Sequence, residues 1–158
     1  MRSYIAVLAL VAMVGAARAE FYANARYGYY IDIPQIFSVA DPEADAGDGR
    51  RFHTADKSAE VAVYGGWIVD GGFAEEAKPR QNFEIQDGWK LAYVSKSTPT
   101  FSNFSGSKDA RIFYAHIISR CGASGYAMYR LEYPAVDKAN YDAAIKQLNS
   151  SLKKERCS

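Results

Sequence analysis

Acid–base and nucleophilic chemistry would have to pass through His53 or His116, the only two histidines in the chain. A serine, threonine or cysteine nucleophile is weak until a base stands beside it. His116 sits in ARIFYAHIISR, alternating with Tyr114 and Ile118, which is the setting of a core histidine with a satisfied ring. His53 lies among charged residues on a predicted hairpin strand. No G-x-S-x-G elbow accompanies either one. For zinc, two His and two Cys without H-E-x-x-H or a Cys/His cluster are a poor ligand set. Phosphate-cradling glycine motifs are absent too. The sequence therefore assigns no catalytic, cofactor-binding or metal-ligating residue.

The segment DPEADAGDG (41–49) is the nearest approach to a cation site. Asp41, Glu43 and Asp45 fall at alternate positions, as in the first half of an EF-hand loop. Ala46 then stands where the turn glycine belongs and Phe52 where the closing glutamate belongs. Asp41, Asp45 and Asp48 could offer oxygens to calcium, but a solvated loop is the simpler expectation. Aromatic residues are the other resource. Of twelve Tyr, Tyr22, Tyr27, Tyr29 and Tyr30 crowd one short stretch. They are expected either to build the sheet or to form part of a binding surface for a sugar, peptide or aromatic ligand.

The elements that must position these groups follow from periodicity. Tyr29, Ile31 and Ile33 alternate with Tyr30 and Asp32, a strand closed by Pro34. Arg51–Thr54 and Glu60–Gly65 flank a turn and predict a hairpin. Phe73–Asn82 reads as a helix that Pro79 should shorten or kink. Trp89–Ser95 reads as a strand with Trp89, Leu91 and Tyr93 on one face, and Thr100–Phe104 as a short strand. Ala110–Arg120 is apolar on both faces, which predicts a central strand covered on both sides. Tyr126–Tyr133 returns from a turn at 122–125. Asp137 then offers an N-cap, and Tyr141, Ile145, Leu148 and Leu152 make one apolar face of an amphipathic C-terminal helix. The order predicts an α+β fold, an antiparallel sheet with helices packed on it.

The first nineteen residues read as a secretory signal. Arg2 gives a positive start, Tyr4 to Ala17 an apolar run of 14, and Ala17-Arg18-Ala19 a small-x-small cut site. The run is shorter than the ~20 residues a membrane span requires. The expected organisation is a signal peptide at 1–19 and a single α+β domain at 20–158, periplasmic or secreted. Loss of Arg2 and Arg18 leaves 17 basic against 18 acidic groups, so nothing steers the chain to nucleic acid or an anionic membrane. In an oxidising compartment Cys121 and Cys157 are expected to pair. The strand 126–133 travels about 26 Å and the helix 137–153 returns about 25 Å, which brings the chain end back to the 121–125 turn.

Several segments together carry a family resemblance. They are Ala25-Arg26-Tyr27-Gly28-Tyr29 leading to Ile33-Pro34, Gly47-Asp48-Gly49-Arg50-Arg51-Phe52, Arg111-Ile112-Phe113-Tyr114, and Leu131-Glu132-Tyr133-Pro134 before the last helix. Through them the chain resembles small periplasmic proteins of alphaproteobacteria, distantly similar to the PsbP-like fold. Ala110 stands where those relatives tend to have glycine, and Pro79 where they have a fuller helix. The resemblance implies an antiparallel sheet between helical layers, an α/β/α sandwich, and an accessory or scaffold role without chemistry of its own. It brings no catalytic residues. The expectation is an exported, non-enzymatic binding or accessory protein whose partner is a protein or a small envelope ligand. A small envelope hydrolase using carboxylates and a structural or inhibitory partner of another secreted protein are the alternatives.

Overall fold

A computed structural model describes residues 19–96, 98–120 and 124–155. Ten strands and two helices follow in the order β1 (Glu20–Asn24), β2 (Tyr29–Ile33), β3 (Val39–Ala40), β4 (Gly49–His53), β5 (Glu60–Trp67), α1 (Phe73–Gln86), β6 (Lys90–Val94), β7 (Phe101–Lys108), β8 (Arg111–Ser119), β9 (Gly125–Pro134), α2 (Lys138–Ser151) and β10 (Lys153–Lys154). A seven-stranded sheet runs β3-β4-β5-β9-β8-β7-β6, and a three-stranded sheet runs β1-β2-β10. The pairings are antiparallel. The fold is therefore α+β, and mostly sheet.

Strand β8 has the central place its two apolar faces predict. It pairs with β7 on one side and β9 on the other. Its alternating residues feed two separate clusters. Phe113, Ala115 and Ile117 join Trp89, Phe104, Met128 and Tyr126, with Phe73 of α1. On the other face Ile112, Tyr114 and Ile118 pack against Tyr129, Leu131 and Tyr133, with Tyr29, Ile31 and Ile33 of the small sheet and Tyr141, Ala144 and Leu148 of α2. Gly65 makes the second cluster close. A Cβ there would stand 2.8 Å from both Tyr27 Cβ and Tyr29 Cε1, so a side chain at this point of β5 would push the small sheet away.

Three local expectations are corrected. Helix α1 runs through Pro79 to Gln86 instead of stopping there. Its buried anchors Phe73, Ala77 and Glu84 lie on both sides of the proline, so burial of the face outweighs the one backbone bond that proline cannot make. Trp89, Leu91 and Tyr93 do not share a face, because the pairing of β6 with β7 shifts register between Leu91 and Tyr93. Trp89 is buried and Tyr93 is exposed. Asp137 occupies the N-cap of α2 without a side-chain capping bond. A 3₁₀ turn, Ala135–Asp137, leads into the helix instead. Strand β1 went unpredicted: only Tyr22 and Asn24 of its five residues are buried, which leaves little periodic signal.

Candidate functional site

Strand β9 carries Arg130 and Glu132 on the face that holds α1, although the same face buries Tyr126 and Met128. Charged groups can be placed there only if each finds a partner. Arg130 has three. Its Nε donates to Glu84 Oε1 at 2.7 Å, Nη2 to Glu84 Oε2 at 3.1 Å and Nη1 to Glu132 Oε2 at 2.7 Å. The guanidinium carbon also sits 4.9 Å from the ring centroids of Trp89 and Phe113. Arg111 supplies the next link, donating to Glu132 and, at 3.1 Å, to the Ser58 carbonyl. Burial opposes ionisation of Glu132, but the hydrogen bonds from Arg130 and Arg111 outweigh it and hold the carboxyl below its ordinary value. The result is a chain of fixed charges, Glu84–Arg130–Glu132–Arg111, held by two strands and a helix.

These groups line a groove of about 550 Å³ between α1 and the sheet. Arg51, Ala62 and Tyr64 form its β4–β5 wall, Phe83 and Asp87 the α1 wall, and Lys108 the far rim. Phe83 is 70% exposed. Lys108 is tied to the Asp87 carboxylate at 3.4 Å. The groove continues along α1 into a cleft of about 320 Å³, lined by Tyr64, Arg80, Phe83 and Met128 among others. There Arg80 is paired with Glu76 at 2.9 Å and donates to the Tyr126 hydroxyl. A third depression, of about 470 Å³, shares Arg51, Ala62 and Tyr64 and ends at Asp41 and Pro42. One continuous furrow thus crosses the α1 side, with aromatic rings and charges of both signs along it.

Of the groups singled out from the sequence, Asp41 and Asp48 line the end of this furrow, and the two histidines lie outside it. His116 is 9% exposed. Its Nδ1 is bonded to Asn103 Oδ1, and burial, with a smaller contribution from Lys153, pushes the imidazole down to about 4. It is the satisfied core histidine its setting predicts. His53 Nε2 meets Asp41 Oδ2 at 2.9 Å, and its Nδ1 stands 3.8 Å from Glu60. The hydrogen bond to His53 holds Asp41 below its usual range.

The acids of the 41–48 loop diverge. Asp41 turns to His53, whereas Glu43 accepts from Tyr22 Oη at 2.7 Å and Asn24 Nδ2 at 3.2 Å. The Asp48 carbonyl accepts from Tyr29 Oη at 2.9 Å. Among the described residues no three side chains of His, Cys, Asp and Glu are grouped closely enough to hold a metal ion. Of the two expectations for the tyrosine-rich stretch, the sheet-building one holds. Tyr22, Tyr27 and Tyr29 are buried in the core, and only Tyr30 keeps partial exposure. The Tyr22 and Tyr29 hydroxyls reach loop acceptors while the rings fill the space between the sheets. Cys121 and Cys157 lie outside the described residues.

The groove itself was missed because Glu84 and Arg130 are 46 positions apart. A signal was present: Arg130 and Glu132, two apart on a strand otherwise apolar on that face, cannot be left unpaired.

No family model matches the chain, and no curated protein matches it. Its fold is similar to that of solved structures. The solution structure of cyanobacterial PsbP (CyanoP) from Synechocystis has a TM-score of 0.63 at 15% identity, covering 93% of this chain and 98% of that one. The crystal structure of the Ran-binding protein Mog1p from Saccharomyces cerevisiae has a TM-score of 0.62 at 8% identity, covering 88% and 96%. The chain therefore has a PsbP-like fold. No described helix is long and apolar enough to cross a membrane.

Proposed function

We propose that the chain is an exported, non-enzymatic binding or accessory protein that engages a protein partner through the furrow on its α1 side. The observation that carries this reading is Phe83, exposed on α1 and flanked by Arg51, Glu84 and Arg130 in one groove. An aromatic anchor inside a frame of pre-positioned charges suits recognition of a polar polypeptide surface. The fixed pairs are already ordered and lose little freedom on binding. The fold has one precedent for protein binding in Mog1p, whose described role is to bind Ran. That precedent is an analogy of fold and has small weight beside the groove.

A carboxylate-driven hydrolase is less well supported. A general acid needs its carboxyl raised toward neutrality. The described carboxyls that depart from ordinary values, Asp41, Asp56 and Glu132, all lie below them.

The finer architecture belongs to the same reading. We take the helices on opposite faces of the large sheet as the outer layers of an α/β/α sandwich, with α2 as its amphipathic cover. We also propose that residues 1–19 are removed on export to the periplasm and that Cys121 and Cys157 then join. Gly28 supports that pairing. A Cβ on it would lie 2.9 Å from an Arg120 guanidinium nitrogen and 3.5 Å from Glu155 Oε2. The Glu155 amide also donates to the Gly28 carbonyl at 3.0 Å. The end of the Arg120 side chain and the backbone of Glu155 thus both reach Gly28.

The test places a photo-crosslinking amino acid at position 83, with position 146 on α2 as control, in the native host. One discrete adduct at 83, absent at 146 and lost on Arg51→Glu, is expected. Equal adducts at both positions, or none at 83, would refute the groove. Intact mass of the same material reports the leader and the thiols. A chain starting at Glu20 and lighter by two hydrogen atoms is expected, whereas retained Met1 with both thiols alkylatable would overturn the export reading.

A further inference from the structure

On the face of the large sheet opposite α1, a second pocket of about 270 Å³ opens where the ends of β7 and β8 meet α2 and β10. We propose that it is a binding site for a small aromatic carboxylate. It is lined by Thr100, Phe101, Ile118 and Ser119, by the nearly buried His116 and Leu152, and by Lys153 and Lys154. Among the described residues no acidic one lines it. Lys153 and Lys154 form no ion pair with the described carboxylates. In the α1 furrow, by contrast, Arg80, Lys108, Arg111 and Arg130 are each paired with an acid, and acidic residues line it throughout. A pocket with two unmatched ammonium groups and no carboxylate favours an anion.

The walls select what the anion is attached to. The Phe101 and His116 rings lie 6.2 Å apart with planes inclined by 38°, and His116 lies 6.0 Å from the Tyr129 ring. A further ring fits such a cluster in offset or edge-on contact. His116 presents a neutral aromatic surface, since burial and then Lys153 keep its imidazole unprotonated at neutral pH. Two neighbouring polar groups are already committed. Asn149 donates to Tyr114 Oη at 3.1 Å and accepts from Tyr129 Oη at 2.6 Å. What the site offers a ligand is then apolar contact, the polar residues Thr100 and Ser119, and the positive charge of Lys153 and Lys154. The volume is below the ~300 Å³ at which drug-sized pockets begin, which limits the occupant to about one ring with a short acidic arm.

The test is a ¹⁵N–¹H titration of the full chain with benzoate, benzamide and cyclohexanecarboxylate. Saturable shifts at Phe101, Ile118 and Lys153 with benzoate are expected. Benzamide, lacking the charge, and cyclohexanecarboxylate, lacking the ring, should each bind at least fivefold more weakly. The double variant Lys153→Met, Lys154→Met alters two exposed side chains and should melt as the parent does while binding benzoate at least fivefold more weakly. Benzoate shifts that fail to saturate, or that map to the α1 furrow, overturn the proposal. So does a less than fivefold loss with benzamide, with cyclohexanecarboxylate or in the double variant. The crosslink at position 83 is indifferent to all of these results, so the two sites stand or fall separately.

Discussion

On the α2 side of the seven-stranded sheet the buried polar groups that bond one another are phenols, amides and the neutral His116 imidazole; on the α1 side guanidinium and carboxylate groups join the Tyr126 phenol. The first set is joined by Tyr129–Asn149–Tyr114 and His116–Asn103 hydrogen bonds. The second is joined by Glu84–Arg130–Glu132–Arg111. Neutral hydrogen bonds can be enclosed by two further layers of structure at modest cost. Ions are kept near solvent, where a groove lets water and a partner reach them. The large apolar cluster therefore gathers on the α2 side, and the charged furrow proposed for recognition lies on the α1 side.

Breaking the α2 side should have the largest effect. Leu148 is fully buried, and Leu148→Ala is expected to lower stability by about 4 kcal/mol, read from the denaturant midpoint. A loss below ~1 kcal/mol would mean that α2 is not the main cover of that face. Arg130→Met should cost about 3 kcal/mol, because it leaves Glu84 and Glu132 facing one another without a cation. Adding Glu84→Gln should recover part of that loss, and no recovery would show that packing on Trp89, not charge pairing, is what Arg130 supplies.

The pH response comes next. His116 titrates near 4 in the fold against 6.5 ordinarily, so below 6.5 the unfolded chain takes up a proton that the folded chain resists. Stability from this group is complete above pH 6.5 and falls as pH drops toward 4, by about 2 kcal/mol between pH 7 and pH 5. His116→Gln should flatten that part of the profile. A slope unchanged in the variant would assign the proton uptake to another group. The smallest effect on stability is expected from Arg51→Glu. Its side chain is exposed, so melting should shift by no more than the equivalent of ~0.5 kcal/mol, while the crosslink at position 83 disappears. A large stability loss would make Arg51 part of the framework and not of the furrow.

Much of this architecture is legible in the residues, and the gaps have physical causes. Arg111–Ser119 declares itself as central because both its faces are apolar. The last helix declares itself through Tyr141, Ile145, Leu148 and Leu152, although the chain turns extended at Leu152. Helix α1 is harder to read. Its period is weak, with Phe83 and Ile85 exposed and Glu84 buried, so apolar spacing points to the wrong face. The tyrosines leave two readings open for the opposite reason. A phenol suits surface and core alike, and only the packing of the small sheet on β5 through Gly65 decides for the core. The furrow depends on Glu84 meeting Arg130 across 46 positions, a contact that tertiary structure creates and local pattern does not contain.

The borders of the large sheet have a consequence of their own. One border, β3, is only two residues long, and the other, β6, is interrupted between Leu91 and Tyr93. A straight run of free amides and carbonyls is what lets one sheet recruit strands from its neighbours. A stub on one flank and a kink on the other deny that template, and so protect a sheet-rich molecule from edge-to-edge fibril growth when it is crowded.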